Sequence, residues 1–539
     1  MADQKQFIEV VSWVSRELAS FAHSSRKEIV VALVVAALVS YVLLYFWAEA
    51  HQRKRLPPGP WPWPVVGNFP AVRDMPHRAL HGLAAKYGGL MYLRLGSKPC
   101  IVISSVAAAK EFYKTNDASF CARPKRLSWT VWHNNEDDYK DLALTSNMPY
   151  WRRLRKFLNA ELFSPARHAS HRSIREEEIQ YMMKILLEDC KKSDAVNLKG
   201  WLYGVTCNTM TRMITGKRFF GNSGVAESEK ERQDVEKMFT SLFEIFGAEV
   251  ISDFVPYLSF VTRLQGYAAK FAKVRDFSEK LTEKIFDLDS HRQRYKERKD
   301  DASYVPDLED VLLETPLDDG RHLPDKDLLK ILQEMLNAGT ETSATVVEWA
   351  MAELITRPNL IKQAQNELDK VVRSKRLVQE IDLPNLPYLQ AIMKEIFRLR
   401  PPVPLLLPHE SNRPTEFCGY HFPTGTLLLL NSFAIHRDPI VYENPDIFDP
   451  ARFLAHPEVN HLSANDFYEL IPFGAGRRMC PAFNLGNTVS SLMLANLLYI
   501  FDWSLPEGQS SVDMSEMNGM SVVMKQPLCL VARPRFELD

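Results

Sequence analysis

The stretch Pro472-Phe473-Gly474-Ala475-Gly476-Arg477-Arg478-Met479-Cys480-Pro481-Ala482 decides how this chain is read. A lone cysteine follows two glycines and two arginines and is itself followed by proline. Gly474 and Gly476 let the backbone turn tightly and approach a flat ligand closely, because neither carries a Cβ. Cationic side chains and free backbone N–H groups near Cys480 favour thiolate over thiol, the form that binds a metal. On composition alone, a cysteine in a glycine-rich turn reads as a buried structural residue. The order of the residues in this short window argues otherwise, and other stretches of the chain support it.

Glu395-Ile396-Phe397-Arg398 sets an acid and a base three apart on one helical face, a common pairing that by itself is weak. Pro450-Ala451-Arg452-Phe453 lies between this pair and the cysteine. Ala338-Gly339-Thr340-Glu341-Thr342-Ser343 sits inside a long helical pattern, where glycine and β-branched threonines weaken the helix locally. Taken alone, that stretch is an ordinary helix whose threonine hydroxyl bonds back to the previous turn. Trp151 and Arg155 lie four apart on one face, while Arg152, Arg153 and Lys156 read as a basic exposed face.

As an ordered set, these stretches resemble the cytochrome P450 superfamily. Phe473, Gly476, Arg478, Cys480 and Ala482 fit its haem-ligand pattern FxxGxRxCx(G/A) at every specified position. The resemblance extends from Pro57 to Pro534-Arg535. The proline hinge, the long central helix and Pro401-Pro402-Val403-Pro404-Leu405-Leu406-Leu407-Pro408-His409 look most like the A-type microsomal enzymes of plants, which act in secondary metabolism. It implies a mostly α fold with small β-sheets, haem b (iron protoporphyrin IX) held by Cys480, and a monooxygenase that uses O2. Phe473 and Gly476 shape the haem loop. Trp151, Arg155, His409 and Arg478 are implied contacts of the haem propionates. Glu341 and Thr342 match the pair that delivers protons. Glu395, Arg398 and Arg452 match a buried structural triad, although Ala451 stands where the family more often has glutamate.

No G-x-G-x-x-G unit occurs in a strand–helix setting, so the electrons must come from elsewhere. The resemblance implies a separate NADPH–cytochrome P450 reductase, for which Arg152, Arg153, Lys156 and Arg477 form a candidate docking face. Non-oxygenating relatives, such as isomerases and dehydratases, commonly depart from the acid–threonine pair, which is intact here. A haem-binding sensor or scaffold and a cofactor-free membrane adaptor are the readings from other classes.

Ile29 to Ala48 is apolar except for Ser40, and as a helix it spans ~30 Å, the thickness of a bilayer core. Lys5, Arg16, Arg26 and Lys27 before it are balanced by Asp3, Glu9, Glu17 and Glu28, whereas Arg53, Lys54 and Arg55 follow it. The positive-inside rule then puts 1–28 in the lumen and the bulk of the chain in the cytosol, and the resemblance names the endoplasmic reticulum. Ala48-Glu49-Ala50 fits a signal-peptidase pattern, but the run exceeds the ~7–15 residues of a signal core. A buried core helix would carry a polar stripe, which this run lacks. The expected organisation is therefore a lumenal segment 1–28, a transmembrane anchor 29–48, a basic and proline-rich hinge 49–64 and a catalytic domain 65–539. Pro57, Pro58, Pro60, Pro62 and Pro64 stiffen the hinge, with Trp61 and Trp63 either at the membrane interface or against the body.

The chain has 539 residues, of which 46% are hydrophobic and 25% charged, so it is neither disordered nor fibrous. Sixty-six basic and 67 acidic residues leave a net charge of −1, with no global field to draw nucleic acid. Cys100, Cys121, Cys190, Cys207, Cys418, Cys480 and Cys529 include no CxxC pair, which argues against a disulfide framework or a zinc ribbon.

Periodicity predicts helices over Trp151–Leu162, Ile174–Cys190, Asp234–Phe246, Leu328–Ile355, Leu360–Val372 and Tyr388–Leu399. A hairpin is expected at Leu90–Leu95 and Pro99–Ser104, with strands near Cys418–Phe422, Thr426–Asn431 and the C-terminus. Arg292–Asp301 reads as a solvated loop or helix end, and Glu136, Asp137 and Asp138 as a solvated loop. By position, the substrate pocket is expected to draw on the Trp129–Tyr139 loop, Asn337, Ala338, Val403, Leu405, Met520 and Val522. Such a lining suits a small, largely apolar molecule, whether phenolic, fatty-acyl or terpenoid.

Overall fold

The computed structural model describes residues 26–537, apart from 137, 192–194, 222–223, 226–228, 302–303, 305 and 464–465. The expected lumenal segment lies outside the described residues except for Arg26, Lys27 and Glu28, as does Asp137 of the acidic loop. Helix α1 (Arg26–Arg53) continues past Ala48, so residues 49–53 of the expected hinge are helical. Nothing there opposes a helix; only the prolines from Pro57 onward do.

Among the described residues, one unbroken helix is long and apolar enough to cross a membrane, over Val30–His51. Its side chains stand clear of the body, with Leu33 65% and Leu44 66% exposed. Its C-terminal end is tied to the body. Arg94 pairs with Glu49 at 3.2 Å and lies over the Tyr45 ring. Arg53 donates to the carbonyls of Gly59 and Pro60 and lies 4.7 Å from the Trp61 ring centroid. Trp61 and Trp63 themselves are exposed.

The expected hairpin forms from β1 (Leu90–Leu95) and β2 (Lys98–Ile103), with Leu90 opposite Ile103. Gly96 turns it at φ +58°, and a Cβ there would lie 2.4 Å from the Phe254 carbonyl oxygen. With β3 (His409–Glu410) and β4 (Leu427–Leu430) it makes a sheet of order β1-β2-β4-β3, β4 running parallel to β2 and antiparallel to β3. This sheet fixes His409, which sits opposite Leu428. The stretch Cys418–Phe422 is not one strand: Thr415–Phe417 and Tyr420–Phe422 pair around Cys418 and Gly419, both at positive φ.

The remainder is mainly helical. The helices that position the site are α2 (Met148–Glu161), α3 (Leu198–Thr215), α4 (Asp325–Ile355), α5 (Pro387–Leu399) and α6 (Phe483–Ile500). The periodic helices all form, and several begin earlier than predicted where a cap or proline sets the first turn: Asn147 accepts from the Tyr150 N–H before α2, and Pro387 opens α5. Arg292–Asp301 is largely helix, within Leu288–Arg298 capped by Asp287. Periodicity missed α3 and α6 because both are buried nearly all round and carry no polar stripe to mark a face.

Helix α4 runs through the core against α3 and α6, and this packing holds its weak Gly339-Thr340 segment helical. A Cβ on Gly339 would come within 2.6 Å of the Met210 sulfur, so glycine is what lets α3 approach so closely.

Candidate functional site

Helix α4 presents two faces. Glu334, Ala338 and Thr342, spaced by four, line an internal cavity of about 340 Å³. Glu341, Thr345 and Glu348, on the other face, are buried. Glu341 accepts a hydrogen bond from the Tyr203 hydroxyl of α3, its other oxygen has no partner among the described residues, and burial raises its pKa. Glu341 and Thr342, adjacent in sequence, therefore point to different surroundings. Thr342 lines the cavity and donates to the Ala338 carbonyl at 2.8 Å, which leaves its oxygen able to accept.

Cys480 lines the same cavity. Its loop is closed by the Cys480 N–H bonding to the Phe473 carbonyl at 2.9 Å, with Gly474 and Gly476 at φ +70° and +65°. Gly476 is required on a second count, since a Cβ would fall 2.7 Å from the Asp117 carboxylate that accepts the Arg477 N–H. Phe473 packs against Phe397 of α5, with ring centroids 5.2 Å apart. Burial raises the Cys480 thiol pKa, outweighing a backbone hydrogen bond and the charge of Arg155, so these neighbours alone do not produce the thiolate expected from the sequence. Coordination to a metal deprotonates such a thiol outright.

Four basic side chains border this cavity: Arg123, Arg155, His409 and Arg478. Arg478 donates to the carbonyls of Cys121, Leu142 and Thr145 and lies 4.5 Å from the Trp151 ring centroid. Arg123 donates to Ala143, Leu407 and Pro408. Burial, with the charge of Arg478, lowers Arg123 to about 9, and burial, with the charge of Arg155, lowers Arg478 to about 10. His409 donates through Nδ1 to the Phe120 carbonyl at 2.8 Å, and burial keeps its pKa well below the usual value. Its ring must take a second proton before Nε2 can donate to a carboxylate.

Mutually repelling buried cations call for anionic partners. A flat apolar group with acidic substituents and a metal for Cys480 fits this lining: a thiol, glycines at Gly339, Gly474 and Gly486, apolar walls and a cationic edge. Haem has that chemistry.

Beneath the site, Glu395 and Arg398 form a bidentate pair at 2.7 and 2.8 Å, both fully buried, and Arg452 reaches Glu395 at 3.1 Å. The departure at Ala451 does not disturb this arrangement, because Ala451 is exposed on its own short helix.

Of the expected pocket residues, Asn337, Ala338, Val403 and Met520 line the cavity, and Leu405 and Val522 do not. Leu405 packs beside Leu427 and Leu429 of the sheet. Val522 is buried with its carbonyl accepting from the Trp349 indole. The Trp129–Tyr139 stretch begins within a short helix, Leu127–Trp132, and sends Trp132 to the cavity. Sequence reasoning missed Arg123, Asp117 and Glu334. Only Glu334 had a usable signal, the four-residue spacing to Ala338 and Thr342.

Residues 57–532 match the family profile described as Cytochrome P450. A flavonoid 3'-monooxygenase of Petunia hybrida is 37% identical over 518 residues, covering 94% of this chain and 98% of its own. A dimethylnonatriene synthase of Zea mays is 35% identical, covering 94% and 97%. A zebra fish cytochrome P450 solved with abiraterone superposes with a TM-score of 0.69 at 24% identity, covering 86% of this chain and 99% of that one. The site and fold thus define a haem-thiolate oxidoreductase. The chain belongs to the cytochrome P450 family, whose members use haem and O2.

Proposed function

We propose that this protein is a membrane-anchored monooxygenase that inserts one oxygen atom from O2 into a small, largely apolar organic molecule, with electrons from NADPH delivered by a separate reductase. The observation that carries this reading is the single cavity shared by Cys480, Thr342 and the cationic edge. Bound haem, with Cys480 as its thiolate ligand, supplies the dioxygen chemistry.

The chain's own residues bind, orient and move protons. Arg123, Arg155, Arg478 and a protonated His409 hold the propionates, and Trp151 braces Arg478. Thr342 accepts a hydrogen bond from the cavity side and passes its own proton on when it releases the Ala338 carbonyl. Glu341 faces α3 and bonds to the Tyr203 hydroxyl, so the proton-moving role at the cavity falls to Thr342. Glu395, Arg398 and Arg452 keep the haem loop's support rigid.

Residues 29–48 anchor the protein in the endoplasmic reticulum membrane, 49–64 connect, and 65–539 act in the cytosol. The cluster Arg53, Lys54 and Arg55 supports that orientation, with 1–28 lumenal. The flavonoid 3'-monooxygenase relative supports a phenolic among the phenolic, fatty-acyl and terpenoid candidates, and Asn337 offers such a molecule a polar handle on an apolar wall. Optical titration of the membrane-expressed holoprotein tests this. A flavonoid-type phenolic should give a saturable low-to-high-spin Soret shift that fatty-acyl compounds do not. A folded protein with no haem spectrum would overturn the reading.

The docking face is narrower than the sequence suggested. Arg153 is tied to Asp319 at 2.8 Å and Arg477 lies 3.5 Å from Asp117, whereas Arg152 is exposed and Lys156, 3.7 Å from Asp318, keeps 75% of its side chain exposed, which leaves Arg152 and Lys156 as the more accessible pair. Reversing both to glutamate should slow NADPH-driven turnover about tenfold, as expected for lost electrostatic steering. Peroxide-driven turnover should be unchanged. Equal loss in the two assays would assign these residues to haem or fold instead.

A further inference from the structure

Residues 141–145 form a wall of the cavity through Asp141, Leu142, Ala143 and Leu144, and they belong to no helix or strand. Buried peptide groups outside regular structure must find partners elsewhere. Here charged side chains provide them. The N–H groups of Leu142 and Ala143 bond to the two oxygens of Glu334 at 2.8 and 2.7 Å. Those of Leu144 and Thr145 bond to Asp141 Oδ1 at 2.8 and 3.1 Å. The carbonyls of Leu142 and Thr145 accept from Arg478, and that of Ala143 accepts from Arg123. His133, whose Nδ1 donates to the Trp129 carbonyl, sets its Nε2 3.0 Å from Asp141 and stacks on Tyr139.

Glu334 differs from the other clamps because it comes from α4, on the face that also carries Ala338 and Thr342. It is the direct tie between that helix and the wall opposite it in the hydrogen-bond network. We propose that Glu334 is a positioning residue that determines substrate selectivity: by fixing the amides of Leu142 and Ala143, it sets the distance of this apolar wall from the reacting face of α4. This rests on the cavity being the substrate chamber. Leu142 and Ala143 contribute only apolar side chains, so their selectivity comes from where the backbone is held. A carboxyl group is suited to the task because each of its oxygens can accept, even though burial and the neighbouring Asp141 raise its pKa to about 8, whereas the Nε2 of a glutamine would face an N–H and release one of the two bonds.

Glu334→Gln in the full-length holoprotein tests the proposal by two readouts. Hydrogen–deuterium exchange at the Leu142 and Ala143 amides should accelerate about tenfold, the loss expected for one hydrogen bond. Exchange in α5 should stay as in the wild type. In optical titrations with flavonoid-type, terpenoid and fatty-acyl compounds, the order of affinities should change, and KM for the oxidised compound should rise with little change in kcat. Asp141→Asn is the control, because its remaining oxygen still accepts from Leu144 and Thr145. If Glu334→Gln does not fold, Glu334→Asp keeps the carboxyl group, shortens the reach by one methylene and should alter the same affinities. Unchanged amide exchange in the Glu334 variants overturns the clamp. Faster exchange with an unchanged order of affinities overturns its role in selectivity. The exchange readout needs no turnover, so absence of oxygenation with a responsive wall would count against the monooxygenase reading alone.

Discussion

Arg398→Ala should be strongly destabilising, lowering unfolding free energy by about 3–5 kcal/mol, the cost of breaking a buried ion pair. On the surface of a helix, a Glu–Arg pair three apart contributes only about 0.2–0.5 kcal/mol. Burial makes the difference, since both partners are 0% exposed. Arg398 donates twice to Glu395 and also to the carbonyls of His436, Pro445 and Ile447. Alanine leaves those three acceptors without this donor and Glu395 dependent on Arg452 and the Asp449 N–H. With total stability of typically about 5–15 kcal/mol, a large share of the folded state is lost. Arg398→Lys should recover only part, because an ammonium cannot reproduce the planar fork. Urea unfolding of the detergent-solubilised protein measures both variants. A midpoint close to the wild type for Arg398→Ala would refute the assignment of this group as the structural base of the site.

Cys480→Ser should leave a folded protein that has lost thiolate-type haem absorption and more than about a hundredfold of its turnover, since even outer-shell partners of a metal ligand account for 10–100-fold. Folding should survive because the loop is closed by the backbone bond to Phe473 and by the glycine turns, none of which uses the thiol. Absorption spectra and melting curves on the same preparation separate the two effects. Retention of a thiolate spectrum would transfer the ligand role to another cysteine. Among the described residues, Cys480 is the cysteine that lines the cavity, and Cys100, Cys121 and Cys207 are buried without lining it.

Much of this site was legible because its chemistry is concentrated in short, ordered stretches. Glu395, Arg398 and Arg452 meet in one buried group and Cys480 lines the cavity, contacts that depend on local spacing or on one complementary charge and so leave a readable trace in the sequence. The fold was legible wherever a helix has one wet side, as in α2 and α5. It was lost at α3 and α6, where burial on all sides erases the period. Arg123 and Asp117 were invisible for a related reason: their partners lie hundreds of residues away, at Leu407, Pro408 and Arg477, and no local pattern announces them. Leu405 and Val522 show the converse limit. Proximity in sequence to lining residues does not decide which way a side chain turns.

The division of α4 into two faces bears on how such a protein can change its chemistry over generations. Positions four apart on the open side meet only the chamber and its walls, whereas those turned to α3 hold the scaffold together. Mutations can therefore sample new ligands through Ala338 and its neighbours while the inward residues stay put. A lineage built on this helix is free to wander among substrates without re-solving the problem of folding.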